Sequence, residues 1–273
     1  MKKKFTSKTL VGIVFCTLLG STIYIAIRLI LAPSVSASSE QAVALRSDYA
    51  LMLLQCFLGV GVMLLPGILQ RKLKIVIPSG MHVAFAIFLF CGIYLGEVHH
   101  FYFRIPHWDT MLHTFSGFAL GALGLSIIGL LNKSESVSVS LSPAFAAIFA
   151  FCFAVAIGTV WEIYEFTVDS VADLNMQKYM LESGELLSGH AALADTMKDL
   201  IVDTLGALAI SVIGYLSMKR NDGWLGRIQI KLNRPVSAPS PVYSIQMPFT
   251  PQAQPVIAVA ETVSAADNLR IAV

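Results

Sequence analysis

A chain of 273 residues with 56% hydrophobic and only 13% charged residues is too apolar for an ordinary water-soluble fold. Its apolar residues gather into runs of roughly 18 to 20 or more, the length an α-helix needs to cross a ~30 Å hydrocarbon core, which excludes a secreted domain or a cytosolic enzyme. The net charge of +2 is too small for a nucleic-acid partner and conceals basic and acidic residues sorted to opposite ends of those runs.

The basic start, Met1-Lys2-Lys3-Lys4 with Lys8, precedes a first span near residues 10–32. Val35-Ser36-Ala37 offers a signal-peptide cleavage site, but the apolar run exceeds a usual h-region and Arg28 interrupts its end, so an uncleaved helix is preferred. Further spans fall near 49–69, 81–98, 110–131, 143–166 and 197–218, giving an all-α polytopic bundle of six spans over residues 1–220. With the amino terminus inside, 14 of the 19 basic residues lie on the inner side and 13 of the 17 acidic residues on the outer side. Lys and Arg close to helix ends set orientation, so both termini are expected in the cytoplasm. Residues 221–273, with Pro235, Pro239, Pro241, Pro248, Pro251 and Pro255, read as a disordered cytoplasmic tail. Trp224, Leu225 and Ile228 beside Arg227 and Lys231 would suit a short interfacial helix at its start.

Cys16, Cys56, Cys91 and Cys152 stand in separate apolar runs and read as packing residues, not as a disulfide or thiolate site. Gly117, Gly121 and Gly124 on the fourth span, and Gly92 and Gly96 on the third, have the spacing that lets helix backbones approach closely in lipid. Packing within one bundle is preferred to dimerisation, and the oligomeric state stays open. The first three and last three spans show no inverted repeat, which counts against a secondary transporter.

Ionisable residues at membrane depth are costly, and here they collect at one end. Asp109 and His113 share a face at the start of the fourth span, after His107 and Trp108. Glu162 and Glu165 follow Trp161 at the end of the fifth, and Asp195, Asp199 and Asp203 form one stripe entering the sixth. Glu97, His99 and His100 close the third. Taken singly, Asp195 suits a helix N-cap, the tryptophans suit an interfacial belt, and loop histidines such as His190 are ordinarily solvated. Together, His113 with three or more carboxylates has the donors of a divalent-metal site, and a His107–His113 pair with a carboxylate would suit zinc. A metal-free ion network around a protonated His113 is the competing arrangement.

The ordered run Asp109-x-x-x-His113-x-x-x-Gly117, Trp161-Glu162-x-x-Glu165, and Asp195-Thr196-x-x-Asp199-Leu200-x-x-Asp203-x-x-Gly206-Ala207 resembles the YjdF-type family of uncharacterised bacterial membrane proteins. It is also distantly similar to VanZ-like membrane proteins, although those carry a Gln where this chain has Glu165, and His107 is an addition. The resemblance, over Asp109 to Ala207, implies a helical bundle in the bacterial cytoplasmic (inner) membrane. It also implies that Asp109, His113, Glu162, Glu165, Asp199 and Asp203 belong together, and no particular reaction; by the chemistry of their side chains these six are the candidate ligands of any divalent metal.

Three functions fit. One is a metal-dependent hydrolase or transferase acting on a lipid or envelope precursor at the outer leaflet, with His113 or Glu162 as general base. No G-x-S-x-G supports it, and Pro78-Ser79-Gly80-Met81-His82, a faint echo of the Pro-Ser-Gly-His of lipid phosphatases, reads as a turn at the cytoplasmic end. The others are a permease component for a cationic solute or protons, and a non-enzymatic accessory protein. Residues between Phe166 and Thr196, among them Tyr179, Leu186 and Leu187, would form a lid or an amphipathic segment.

Overall fold

The computed structural model describes residues 6–32, 40–132, 140–181, 185–221, 223 and 225–233, of which 40–45 and 227 by their backbone alone. Val35-Ser36-Ala37, Lys133, Trp224 and the proline-rich tail from 234 lie outside the described residues. The elements are α1 (Ser7–Leu31), α2 (Glu40–Leu73), β1 (Ile75–Val76), α3 (Ser79–Leu89) and a π-helical continuation (Phe90–Val98). After these come α4 (Phe101–Arg104), α5 (Trp108–Leu131), α6 (Pro143–Ala172), α7 (His190–Arg220), α8 (Leu225–Ile228) and β2 (Lys231–Leu232).

Six of these helical stretches are long and apolar enough to cross a bilayer, and the chain is an all-α polytopic bundle. Local chemistry sets several helix ends. The Thr6 hydroxyl accepts from the Thr9 amide to start α1, and Ser142 accepts from Phe145 to start α6, with Pro143 in the first turn.

Hydropathy misplaces some boundaries. Helix α2 begins at Glu40, α6 runs on to Ala172, and α7 starts at His190 behind the positive-φ N-cap Gly189. Asp195 is therefore inside a helix and is not its cap. The apolar window ended early because Glu162 and Asp169 count as polar, yet both are buried in the bundle, so nothing interrupts the backbone ladder. At 1.5 Å per residue, α6 and α7, of 30 and 31 residues, are each about 45 Å long, some 15 Å more than the hydrocarbon core.

The two larger apolar cores among the described residues each join three spans. Val14, Leu18, Cys56, Met63, Ala86, Leu89 and Ile93 join α1, α2 and α3. Leu125, Ile128, Ala146, Ala150 and Ile210 join α5, α6 and α7, with Leu225 of α8 sealing one end. The antiparallel pair Ile75↔Leu232 and Val76↔Lys231 ties the segment after α7 to the α2–α3 connection.

Helices α5 and α7 pack backbone to backbone. A Cβ on Gly117 would collide with the Asp203 carbonyl oxygen, and one on Gly206 with that of Thr114. The glycine stripe expected for packing within the bundle thus meets a second stripe on α7. Gly206→Leu should cost about 1–3 kcal/mol through overpacking. Thermal unfolding in detergent should show a clearly lowered midpoint for Gly206→Leu and none for Gly67→Ala, where a Cβ meets open space.

Candidate functional site

The glycine contact places Asp203 of α7 directly beside His113 of α5. His113 Nδ1 lies 3.2 Å from Asp203 Oδ2, and the Ser116 hydroxyl donates to Asp203 Oδ1 at 2.6 Å. Glycine serves the carboxylate a second time, because the Asp203 side chain rests against Gly158 of α6, where a Cβ would come within 2.8 Å of Oδ2. Asp203 thus occupies the Nδ1 side of the imidazole, and Nε2 faces the other side of the ring.

That side carries two more carboxylates. Nε2 is 3.7 Å from Asp109 Oδ1 and 3.9 Å from Asp199 Oδ2. These separations are too long for hydrogen bonds. Donors held about 2.0–2.2 Å from one metal ion lie roughly 3–4 Å from each other. One ligand atom from each of Asp109, His113 and Asp199 falls within 4.8 Å of the others, a spacing a metal ion could bridge.

Burial sharpens the electrostatics. Asp199 is 2% exposed and Glu162 4%, and Asp199 Oδ1 and both Glu162 oxygens have no hydrogen-bond partner of good geometry. Thr196 borders Glu162; its hydroxyl oxygen accepts from the Gln177 side chain at 2.8 Å, which leaves its O–H to face Glu162. A buried carboxylate without compensation costs several kcal/mol, so the geometry leaves positions for cationic or protic partners. Glu165 is part-buried, within electrostatic reach of Glu162 and His113.

The other sequence candidates separate from this group. His107 is exposed at the left-handed N-cap of α5, and among the described residues the group that could hold a metal includes His113 without it. His99 packs edge-on to Tyr94, and His190 is exposed. Trp108 turns inward to donate to the Cys91 carbonyl, whereas Trp161 is exposed on the bundle surface.

The connection between α6 and α7 forms a strap whose anchors the motifs did not reveal. Buried Asp169 accepts the amides of Met176 and Gln177 at 2.8 and 2.9 Å, and Leu174 and Met176 pack on Leu51 of α2. Lys178, with φ +50, is thereby delivered to Glu97 at 3.5 Å and over the rings of Tyr102 and Phe103. Glu97 also accepts from Gln55, and it is buried because the wide π turn brings both Gly96 and Glu97 inward. Burial alone would lower the Lys178 pKa, but Glu97, Asp109, Glu165 and Asp195 outweigh it and raise it above the ordinary lysine value. The same field acts on Tyr102, whose hydroxyl is pushed well above its ordinary range by burial and by Asp109, Glu97, Glu165 and Asp199. Two signals pointed here: Asp169 continues the 162, 165 face of α6, and Lys178 is one of few basic residues at the acidic end.

Fold and site together define a multi-pass membrane protein whose last three spans deliver one histidine and several carboxylates to one end of the bundle. The chain belongs to the family described as Predicted membrane protein (DUF2238), whose model matches residues 15–220. This accords with the expected uncharacterised membrane family and extends the likeness to the first three spans; the VanZ-like similarity gains nothing from it. A relative from the bacterium Thermotoga maritima, described as an uncharacterized protein, is 31% identical over 140 residues, 51% of this chain and 64% of that one. The match thus spans less than two thirds of the relative's length. No solved structure matches.

Asp169→Ala should release the strap, raising amide exchange at Met176 and Gln177 about tenfold or more for the loss of two charge-assisted hydrogen bonds. Exchange mass spectrometry on the detergent-solubilised protein reads this directly. Because the Lys178 pKa is raised on folding, its contribution is complete below the ordinary value of 10.5 and is lost as pH climbs through the raised one. Relative to Lys178→Met, the wild type should therefore keep its stability margin at pH 8 and lose it only above about pH 10.5.

Proposed function

We propose that the cluster binds one divalent metal ion, and that the protein uses it to hydrolyse or transfer a group on a lipid or envelope precursor at the outer face of the bacterial cytoplasmic membrane. The observation that carries this reading is the convergence of Asp109, His113 and Asp199 ligand atoms within 4.8 Å, beside buried carboxylate oxygens that lack partners. One imidazole nitrogen with carboxylate oxygens suits Zn²⁺ or Mn²⁺ better than Ca²⁺.

In this reading His113 Nε2, Asp109 and Asp199 hold the ion. Asp203 takes the Nδ1–H and fixes the tautomer, the outer-shell carboxylate arrangement common at metal-binding histidines, and Ser116 orients Asp203 in turn. A bound divalent ion would polarise a phosphoryl or acyl oxygen and lower the pKa of water. In this reading Glu162, buried in the bundle, would take the proton from an attacking water or alcohol. Lys178 would offset negative charge on an incoming headgroup. The outward orientation is supported by the basic residues near the opposite helix ends, Arg71, Lys72, Lys219 and Arg220.

Metal analysis of the purified protein tests the reading. Wild type titrated with Zn²⁺ or Mn²⁺ should retain about one equivalent through desalting, and His113→Ala, Asp109→Asn and Asp199→Asn should retain none. Asp203→Asn should keep the site but weaken it about 10- to 100-fold. A wild type that retains no divalent ion while unfolding cooperatively would replace the metal centre by an imidazolium held among carboxylates, and the hydrolytic reading would go with it.

A further inference from the structure

The end of the bundle opposite the acid cluster holds a second site of the reverse polarity. Helix α3 and its π continuation run away from that cluster for 20 residues, about 30 Å, to Ser79. There the first turns of α1 and α3 and the last turns of α2 enclose an open cavity of about 570 Å³. This falls in the range of roughly 300–1,000 Å³ found for small-molecule sites.

Its walls have two characters. Val11, Phe15, Met63 and Leu64 form an apolar side between α1 and α2, and a Cβ on Gly12 of the same wall meets open space. The mouth is polar and positively charged. Lys8 lines it, and Arg71, Lys72 and Lys74 stand exposed in and just after the last turn of α2. The strand pair brings the exposed Lys231 beside Val76 in the same connection. Among the described residues, Ser7–Val11, Gln70–His82 and Lys231–Asn233 contain no carboxylate.

The floor is built. The Gln70 side chain accepts from the Ile77 amide at 3.2 Å and reaches His82 Nε2 at 3.2 Å, and His82 Nδ1 lies 3.3 Å from the Pro78 carbonyl. Both ring nitrogens of His82 are thus engaged by the floor itself, and the positive charge at the mouth comes from lysine and arginine. Helix α3 opens into this space without a side-chain cap, which adds the positive end of its dipole.

We infer that this cavity is a binding site for an anionic phospholipid, its phosphate at Lys8 and the first turn of α3 and its acyl chains along Val11, Phe15, Met63 and Leu64. Basic clusters at a helix end attract anionic headgroups, and an apolar wall leading into the bilayer suits acyl chains that a free anion does not have. The inference is independent of the metal centre, which lies at the other end of the bundle.

The test is native mass spectrometry of the full chain released from nanodiscs of mixed phosphatidylglycerol and phosphatidylcholine, with unfolding in detergent followed in parallel. Wild type should retain one phosphatidylglycerol in preference to phosphatidylcholine by about tenfold, the scale of one favourable charged contact. Gly12→Phe, which fills the cavity, and Lys8→Gln should each reduce that preference severalfold with the unfolding midpoint unchanged, and millimolar inorganic phosphate should not displace the lipid. Equal retention of the two lipids would overturn the proposal. So would wild-type behaviour of a cooperatively unfolding Gly12→Phe variant, with loss only on neutralising Arg71, Lys72 and Lys74 together, because the lipid would then be adsorbed on a basic surface. Displacement by inorganic phosphate would overturn it equally, by assigning the site to a free anion.

Discussion

The close approach of α5 and α7 at Gly117 and Gly206 is the constraint on which the polar end of the molecule depends. Each glycine lies against a backbone oxygen of the opposite helix, Asp203 for one and Thr114 for the other. Within a membrane, helix association is driven by van der Waals packing and interhelical hydrogen bonds, because lipid tails are as apolar as the side chains they would release. A larger residue at either position would part the helices and take Asp203 away from His113 and Ser116. The polar contact and the steric contact are therefore one feature: small residues bring the backbones together, and that closeness lets a carboxylate more than three turns inside α7 find an imidazole.

A second dependence links the two halves of the bundle. The cores of α1–α3 and α5–α7 are separate, and the strap after α6 is among the few elements that touch both. Asp169 turns it, Leu174 and Met176 seat it on Leu51, and Lys178 closes it onto Glu97. A lysine so placed lies in the combined field of Glu97, Asp109, Glu165 and Asp195, which keeps it charged in spite of burial. The strap is thus both a mechanical joint and a positive charge set among the carboxylates at this end of the bundle. The connection is shorter than the sequence suggested because α6 and α7 each continue past their apolar windows.

Charge sorting gives the bundle opposite chemistry at its ends. Carboxylates and His113 occupy one end, and Lys8, Arg71, Lys72, Lys74 and Lys231 the other. A polarity of this kind reads first as orientation in the membrane. Here it also sets the two ends, about a bilayer apart, in opposite electrostatic surroundings, the one proposed above for a cation and the other for an anionic headgroup.

Much of this was legible without coordinates. Six spans, the sorting of charge, and the alignment of Asp109 with His113 and of Asp199 with Asp203 follow from run length and from the 3.6-residue period, which are local properties of the chain. Helix ends beyond the apolar windows were not legible, because hydropathy scores Glu162 and Asp169 as polar without knowing that the bundle buries them. Nor were the partners. Lys178 looked like a loop residue until the strap placed it on Glu97, and Ser116 looked like an ordinary helix residue until Gly117 admitted α7 beside it. Sequence determines which residues share a face of one helix. Only tertiary packing decided which faces meet, because that rests on the fit of side-chain volumes between helices far apart in the chain.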